Sequence, residues 1–417
     1  MTDQLISPRQ ALAAAPATTK AAPARVAAAR NLPVGYLRAF VTLLVLAHHS
    51  VIAYHTAAPA PGAAFTQAPF LWSAFPIVDA QRWAGYTLLV GLNDIYFMAL
   101  MFFISGLFVW DSLKRKGAGA FVRDRLVRLG IPFAVAATLL SPIAYYPAYL
   151  VTGANPGLSA YARTWLSLPV WMSGPAWFIW VLLAFGTLAA GLYKVAPTWG
   201  TALGRLTAGA DRHAFRFFLG LGAASALAYI GLCLVIGSDR WLSFGPFAVQ
   251  GSRILHYALY FAVGIGVGAA GLERGLLAKT GALARRWWIY PLVAAPAFVA
   301  TVVITLMAYA AKGQPFGLWE TLGGTGFAFT CAALSMACLG GFTRFVEKRS
   351  AIWDSLSANA YGMYLVHYGF AVWLQYALLP TALPAPLKGL IVFAGTVGAS
   401  WSVTALLRRV PLVRDVL

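Results

Sequence analysis

The chain has 417 residues, is 60% hydrophobic and only 10% charged, and has a mean hydropathy of +0.72. A soluble chain carries about 25% charged residues, so much of this apolar surface must face lipid, and a soluble globular enzyme is excluded. The net charge of +19 would suit nucleic acid only as a basic face on a soluble domain. Here the basic residues fall in short stretches between apolar runs, which is a topology signal.

In chain order, residues 1–33 are rich in Ala, Pro and Thr and carry Arg9, Lys20, Arg25 and Arg30. They cannot build a core and read as a disordered basic tail, too polar for the apolar region of a signal peptide. Apolar runs long enough to span a bilayer follow at about 34–54, 88–110, 127–150, 175–195, 214–236, 253–271, 287–311, 319–341, 357–378 and 387–407. The expected fold is therefore all-α and polytopic, with ten transmembrane helices in a domain over 34–410 and a short tail at 411–417. With the N-terminus inside, the inner segments hold 24 lysines and arginines and the outer ones six. That bias places both termini in the cytoplasm. The outer segments 55–87 and 151–174 are rich in Pro, Trp and Phe and are expected at the outer interface. The three cysteines, Cys233, Cys331 and Cys338, lack ligand-pair spacing, so neither a disulfide framework nor a metal is expected.

The first span carries the most informative residues. Arg38 and His49 are 11 apart, about 16 Å along a helix and roughly 20° past three full turns, so they share a face. Ionisable groups inside a membrane cost about 2.5–3.5 kcal/mol each on insertion scales and need a partner or a purpose. An arginine near the end of a span can be a snorkelling anchor. An imidazole at depth, titrating near neutrality, is a candidate acid–base group. His48 points about 100° away and packs elsewhere. Asp94, in the outer half of the second span, is the expected partner that orients His49. Asp79 and Arg82 read as a solvated pair. Phe102-Phe103-Ile104-Ser105-Gly106-Leu107 ends the second span. A basic run follows it, in which Arg125 and Arg128 share a helical face and suit phosphate oxygens. Glu320, at the outer start of the eighth span, and His367, inside the ninth, complete the candidates.

These pieces together resemble the acyltransferase-3 family of bacterial integral membrane proteins. The resemblance rests on Arg38 with His49, Phe102–Leu107, Arg125-x-x-Arg128-x-Gly-Ile-Pro, Pro175-Ala176-Trp177-Phe178, and Tyr361-Gly362-Met363-Tyr364-Leu365-x-His367. Ala176 departs from the family, where many members carry a histidine. The resemblance implies an inner-membrane enzyme that moves an acyl group, commonly acetyl from acetyl-CoA, to a hydroxyl of an extracytoplasmic glycan. Modification of periplasmic glucans is one branch. It implies donor contacts at Arg38, Arg125 and Arg128, catalysis by His49 with Asp94, and acceptor contacts at His48, Glu320 and His367. The chain lacks the fused extracytoplasmic domain of some members, so any second transfer step would fall to a separate partner. A transporter or flippase is the rival expectation. It draws on the ten spans and on Gly264-x-Gly266-x-Gly268, but the two halves of the chain show no repeat.

Overall fold

The computed structural model describes residues 31–60, 64–414 and 416–417. Of the expected basic tail, 1–33, residues 1–30 lie outside the described residues, and Leu32 and Pro33 belong to the first helix. Asn31 starts that helix by accepting from the Val34 N–H at 3.2 Å, and Pro33 has no N–H to leave unsatisfied in the first turn.

The long elements are α1 (Leu32–Val51), α2 (Ala84–Gly106), α3 (Val109–Leu150), α4 (Leu158–Ser167), α5 (Trp177–Val195), α6 (Trp199–Thr207), α7 (Ala214–Ile236), α8 (Ile254–Ala270), α9 (Ile289–Ala310), α10 (Leu318–Phe345), α11 (Ala351–Leu378) and α12 (Ala385–Leu407). Among the described residues nine helices are long and apolar enough to cross a membrane. The tenth expected span is α11, with 28 residues. Its length suffices, but Ser355, Ser357, Asn359, His367 and Gln375 make it more polar. The chain is an all-α, multi-pass membrane protein.

Two local features depart from the expected pattern. The third span begins earlier than residue 127, because α3 continues from Val109 through a kink at Gly117 (φ 75°). Within it, π-type turns occupy Leu126–Gly130 and Ala136–Leu140, just before Pro132 and Pro142. Proline removes a ladder N–H and crowds the carbonyl four residues back, and a wider turn absorbs both effects. Between α7 and α8 an antiparallel hairpin pairs β1 (Trp241–Phe244) with β2 (Phe247–Gln250).

α1 packs against α2, α10, α11 and α12, at the centre of the bundle. Its start and the end of α12 lie on one face: Ser357 donates to the Gly35 carbonyl at 3.0 Å, and Arg408 to Asn359 Oδ1 at 3.0 Å. That face is the inner one in the orientation expected from the lysine and arginine distribution. α2 and α8 touch backbone to backbone. A Cβ on Gly264 would sit 2.2 Å from the Phe103 carbonyl oxygen, and one on Gly268 would sit 2.0 Å from that of Leu107. The glycine motif is thus a packing surface.

The outer face is capped by aromatic side chains from the two outer segments. Phe65 stacks on Trp72 at 4.2 Å, Trp72 meets Tyr145 at 5.2 Å, and Tyr161 and Trp165 of α4 close the cluster. One ion pair locks this cap to the bundle. Lys388 Nζ lies 2.7 Å from Asp79 Oδ2, with side-chain exposures of 1% and 3%. Asp79 is therefore not solvated. Arg82 beside it donates instead to the carbonyls of Ala58 and Pro59 at 2.9 and 3.0 Å. Removing one member leaves a buried charge uncompensated, which costs about 3–5 kcal/mol. Asp79→Ala should lower the thermal unfolding midpoint in detergent. The double replacement Asp79→Leu/Lys388→Leu should recover most of that loss, and an unchanged midpoint in the single variant would show that the pair contributes nothing.

Candidate active site

α1 and α11 run side by side from the inner face, stitched by polar contacts along their length. Tyr36 donates to Asp354 Oδ1 at 2.9 Å, and Arg38 Nη2 donates to the Ser357 carbonyl at 3.2 Å. Toward the outer end, Gln375 Nε2 donates to the carbonyls of His49 and Ser50 at 2.7 and 3.1 Å. These carbonyls belong to the last turn of α1 and have no intrahelical partner of their own. Between the two ends of the seam, His49 meets His367.

The pair has a defined tautomer chain. His367 Nδ1 lies 2.7 Å from the Tyr364 carbonyl. A carbonyl only accepts, so Nδ1 of His367 carries hydrogen and Nε2 of the neutral ring is an acceptor. His49 Nδ1 is 3.0 Å from His367 Nε2 and 3.0 Å from the Val45 carbonyl. Two acceptors face that nitrogen, so it also carries hydrogen. Nε2 of neutral His49 is then left with its lone pair. One ring is oriented by the other, and the second nitrogen of His49 keeps its lone pair available.

Tyr368 sets an edge against His49 at 5.2 Å and links through Tyr145 to the aromatic cap. Tyr364 donates to the Pro175 carbonyl, and Gly174, at φ 52°, brings its backbone against the Tyr368 ring. Tyr364 and Tyr368 also line a cavity of about 450 Å³ with α3 residues such as Ala136, Leu140 and Ile143. Neither His49 nor His367 is among the residues that line it. Its lining is apolar and suits a hydrocarbon chain better than a reacting group.

The remaining expected site residues fall in other places. Asp94 does not meet His49. Arg253 grips its carboxylate at both oxygens, 3.0 and 2.5 Å, and also donates to the Asp94 carbonyl at 3.0 Å. A full cation at contact distance outweighs a neutral imidazole as partner. His48 faces α2, with its ring 5.2 Å from Phe97, one turn inward of Asp94. Glu320 caps its own helix, accepting from the Gly317 N–H at 2.7 Å. Arg125 is half-buried over the Phe121 ring at 5.0 Å, while Arg128 is exposed and its carbonyl accepts from Tyr361 at 2.7 Å. Tyr361 belongs to the same α11 that carries His367. The basic turn of α3 is thereby tied to the helix behind the histidines. Gln375 and Tyr368 escaped sequence reasoning. The available signal was the placement of Tyr364, His367, Tyr368 and Gln375: His367 and Tyr368 follow Tyr364 by three and four residues and Gln375 follows Tyr368 by seven, which puts them on one face of α11. Among the described residues no group of three or more potential metal ligands assembles.

The acyltransferase domain of the acyltransferase-3 family matches residues 34–405, from the turn before Arg38 to the last turns of α12. The chain belongs to that family and is a membrane acyltransferase. No curated protein and no solved structure matches it.

If His367 holds the tautomer of His49, His367→Ala should lower kcat for transfer by roughly tenfold or more, since orientation of a base carries a large part of its effect. KM for the donor should stay nearly constant. A variant with wild-type kcat would show that His49 needs no second ring.

Proposed function

We propose that the protein transfers an acyl group, acetyl foremost, from cytoplasmic acyl-CoA to a hydroxyl of an extracytoplasmic glycan, working in a bacterial inner membrane. The observation that carries this reading is the His49–His367 pair. It sets an unprotonated Nε2 near the outer end of the helix whose inner end holds Arg38. Arg38, Arg125 and Arg128 supply guanidinium groups toward the inner face for the phosphates of the donor. The thioester arm extends from there along α1 and α11 toward His49.

In the reaction, Nε2 of His49 takes the proton of the acceptor hydroxyl as its oxygen attacks the thioester carbonyl. The C–O bond forms, the C–S bond breaks, and the proton passes from His49 to the departing thiolate. His367 accepts the Nδ1–H of His49 throughout and stabilises the transient imidazolium. The same free Nε2 also suits a short-lived acyl-histidine, in which the acyl group rests on the ring before the hydroxyl arrives.

His49→Ala should abolish transfer from labelled acetyl-CoA, a fall of about 10²–10⁴-fold, while the protein still inserts and purifies. Retained activity would overturn the mechanism. For the donor site, Arg38→Ala should weaken acyl-CoA binding more than Arg38→Lys, read by equilibrium binding of labelled acetyl-CoA. Equal and negligible effects would make Arg38 a membrane anchor.

A further inference from the structure

Among the described residues, the two ion pairs of the outer half of the bundle are built differently. Asp79 and Lys388 are sealed, with both side chains almost fully buried. In the Asp94–Arg253 pair only the arginine is sealed, at 9% exposure, while the Asp94 side chain is 46% exposed. An ion pair that serves only to hold helices together has no need of an open carboxylate. Three polar atoms on this pair and its neighbours lack hydrogen-bond partners: Nε of Arg253 itself, Nδ2 of Asn93, the residue before Asp94 on α2, and Nδ1 of His48, whose ring is near enough to Asp94 and Arg253 for their charges to act on it. Their residues are 7%, 2% and 8% exposed. Each such buried, unmet group costs about 1–3 kcal/mol, so a cluster of them beside an open carboxylate points to a ligand that completes it.

The donor and acceptor inventory defines that ligand. Asp94 offers free acceptor positions, Asn93 Nδ2 and Arg253 Nε offer donors, and the His48 nitrogen offers either, depending on its tautomer. An anion would meet the Asp94 carboxylate, and an apolar chain would leave every one of these atoms unmet. Hydroxyls both donate and accept, and several of them on one ring match the set. The cluster also adjoins the base, since the His48 and His49 rings are 5.2 Å apart.

We propose that Asp94, Arg253, His48 and Asn93 form the subsite that binds the polyhydroxyl acceptor, a saccharide, and present one of its hydroxyls to His49. This rests on the acyltransferase reading for the identity of the base and adds the recognition surface, on the α2 side of α1. His48 and Asp94 are specificity residues here, and His49 alone performs the proton transfer.

The test uses the full-length protein in phosphatidylcholine nanodiscs and radiolabelled octyl β-glucoside as the saccharide probe. Saturable binding is expected, weakened about tenfold or more by Asp94→Asn, the loss of one or two hydrogen bonds to a charged group. His48→Phe keeps the ion pair and the ring packing on Phe97, so it reports on the subsite even if Asp94→Asn fails to fold. It should weaken the probe several-fold. Transfer of acetyl to the same probe should show a raised KM with kcat little changed in both variants. Wild-type binding in both variants, or no binding above the lipid background in the wild type, would overturn the subsite. Intact, variant-sensitive binding without turnover of acetyl-CoA would instead uphold the subsite and fault the donor reading.

Discussion

A hydrogen bond between two imidazoles 318 positions apart in sequence depends on the seam that brings their helices together. In a bilayer, apolar side chains gain little by leaving lipid for protein, so helix association relies on close packing and on polar groups that find partners. The α1–α11 seam uses both. Tyr36, Arg38, Ser357 and Gln375 bond across it at either end, and the histidines meet between. Every polar side chain on the seam would be expensive facing lipid. These cross-helix hydrogen bonds fix the relative rotation of the two helices, and with it the direction of His49.

The same constraint explains the arrangement of the outer half. Two carboxylates there are matched by cations from other elements: Asp79 of the outer segment by Lys388 of α12, and Asp94 of α2 by Arg253 at the start of α8. The first pair holds the aromatic cap over the bundle. The second joins α2 to α8, two helices already locked at Gly264 and Gly268. Because α2 and α8 cannot shift relative to one another, the Asp94 carboxylate has a fixed place beside α1.

The bundle was legible in the sequence because its signals are local. Apolar runs of spanning length and the uneven distribution of lysine and arginine need only neighbouring residues to be read. The Arg38–His49 register was legible for the same reason, since helical periodicity fixes a shared face. Partners across helices were not. Depth in the membrane placed Asp94 level with His49, but depth gives no azimuth, and the structure turns Asp94 toward Arg253 and His48 while His49 looks the other way to His367. Asp79 looked solvated because its partner, Lys388, lies 309 residues on. Glu320, three residues into α10, had the spacing of a helix cap and serves as one. The π-type turns of α3 had a visible cause in Pro132 and Pro142, though proline alone does not say whether a helix kinks, widens or stops.

The backbone carbonyl of Tyr364, at the far end of the histidine chain, has one more implication. A carbonyl accepts a hydrogen bond but has no proton of its own to hand on, so the relay from His49 through His367 terminates there. A row of linked imidazoles in a membrane could conduct protons between the two aqueous phases. Among the described residues this row ends on that carbonyl, and the ring nitrogen it leaves open is Nε2 of His49. The enzyme can keep a titratable pair inside the bilayer without making that pair a leak for the ion gradient across it.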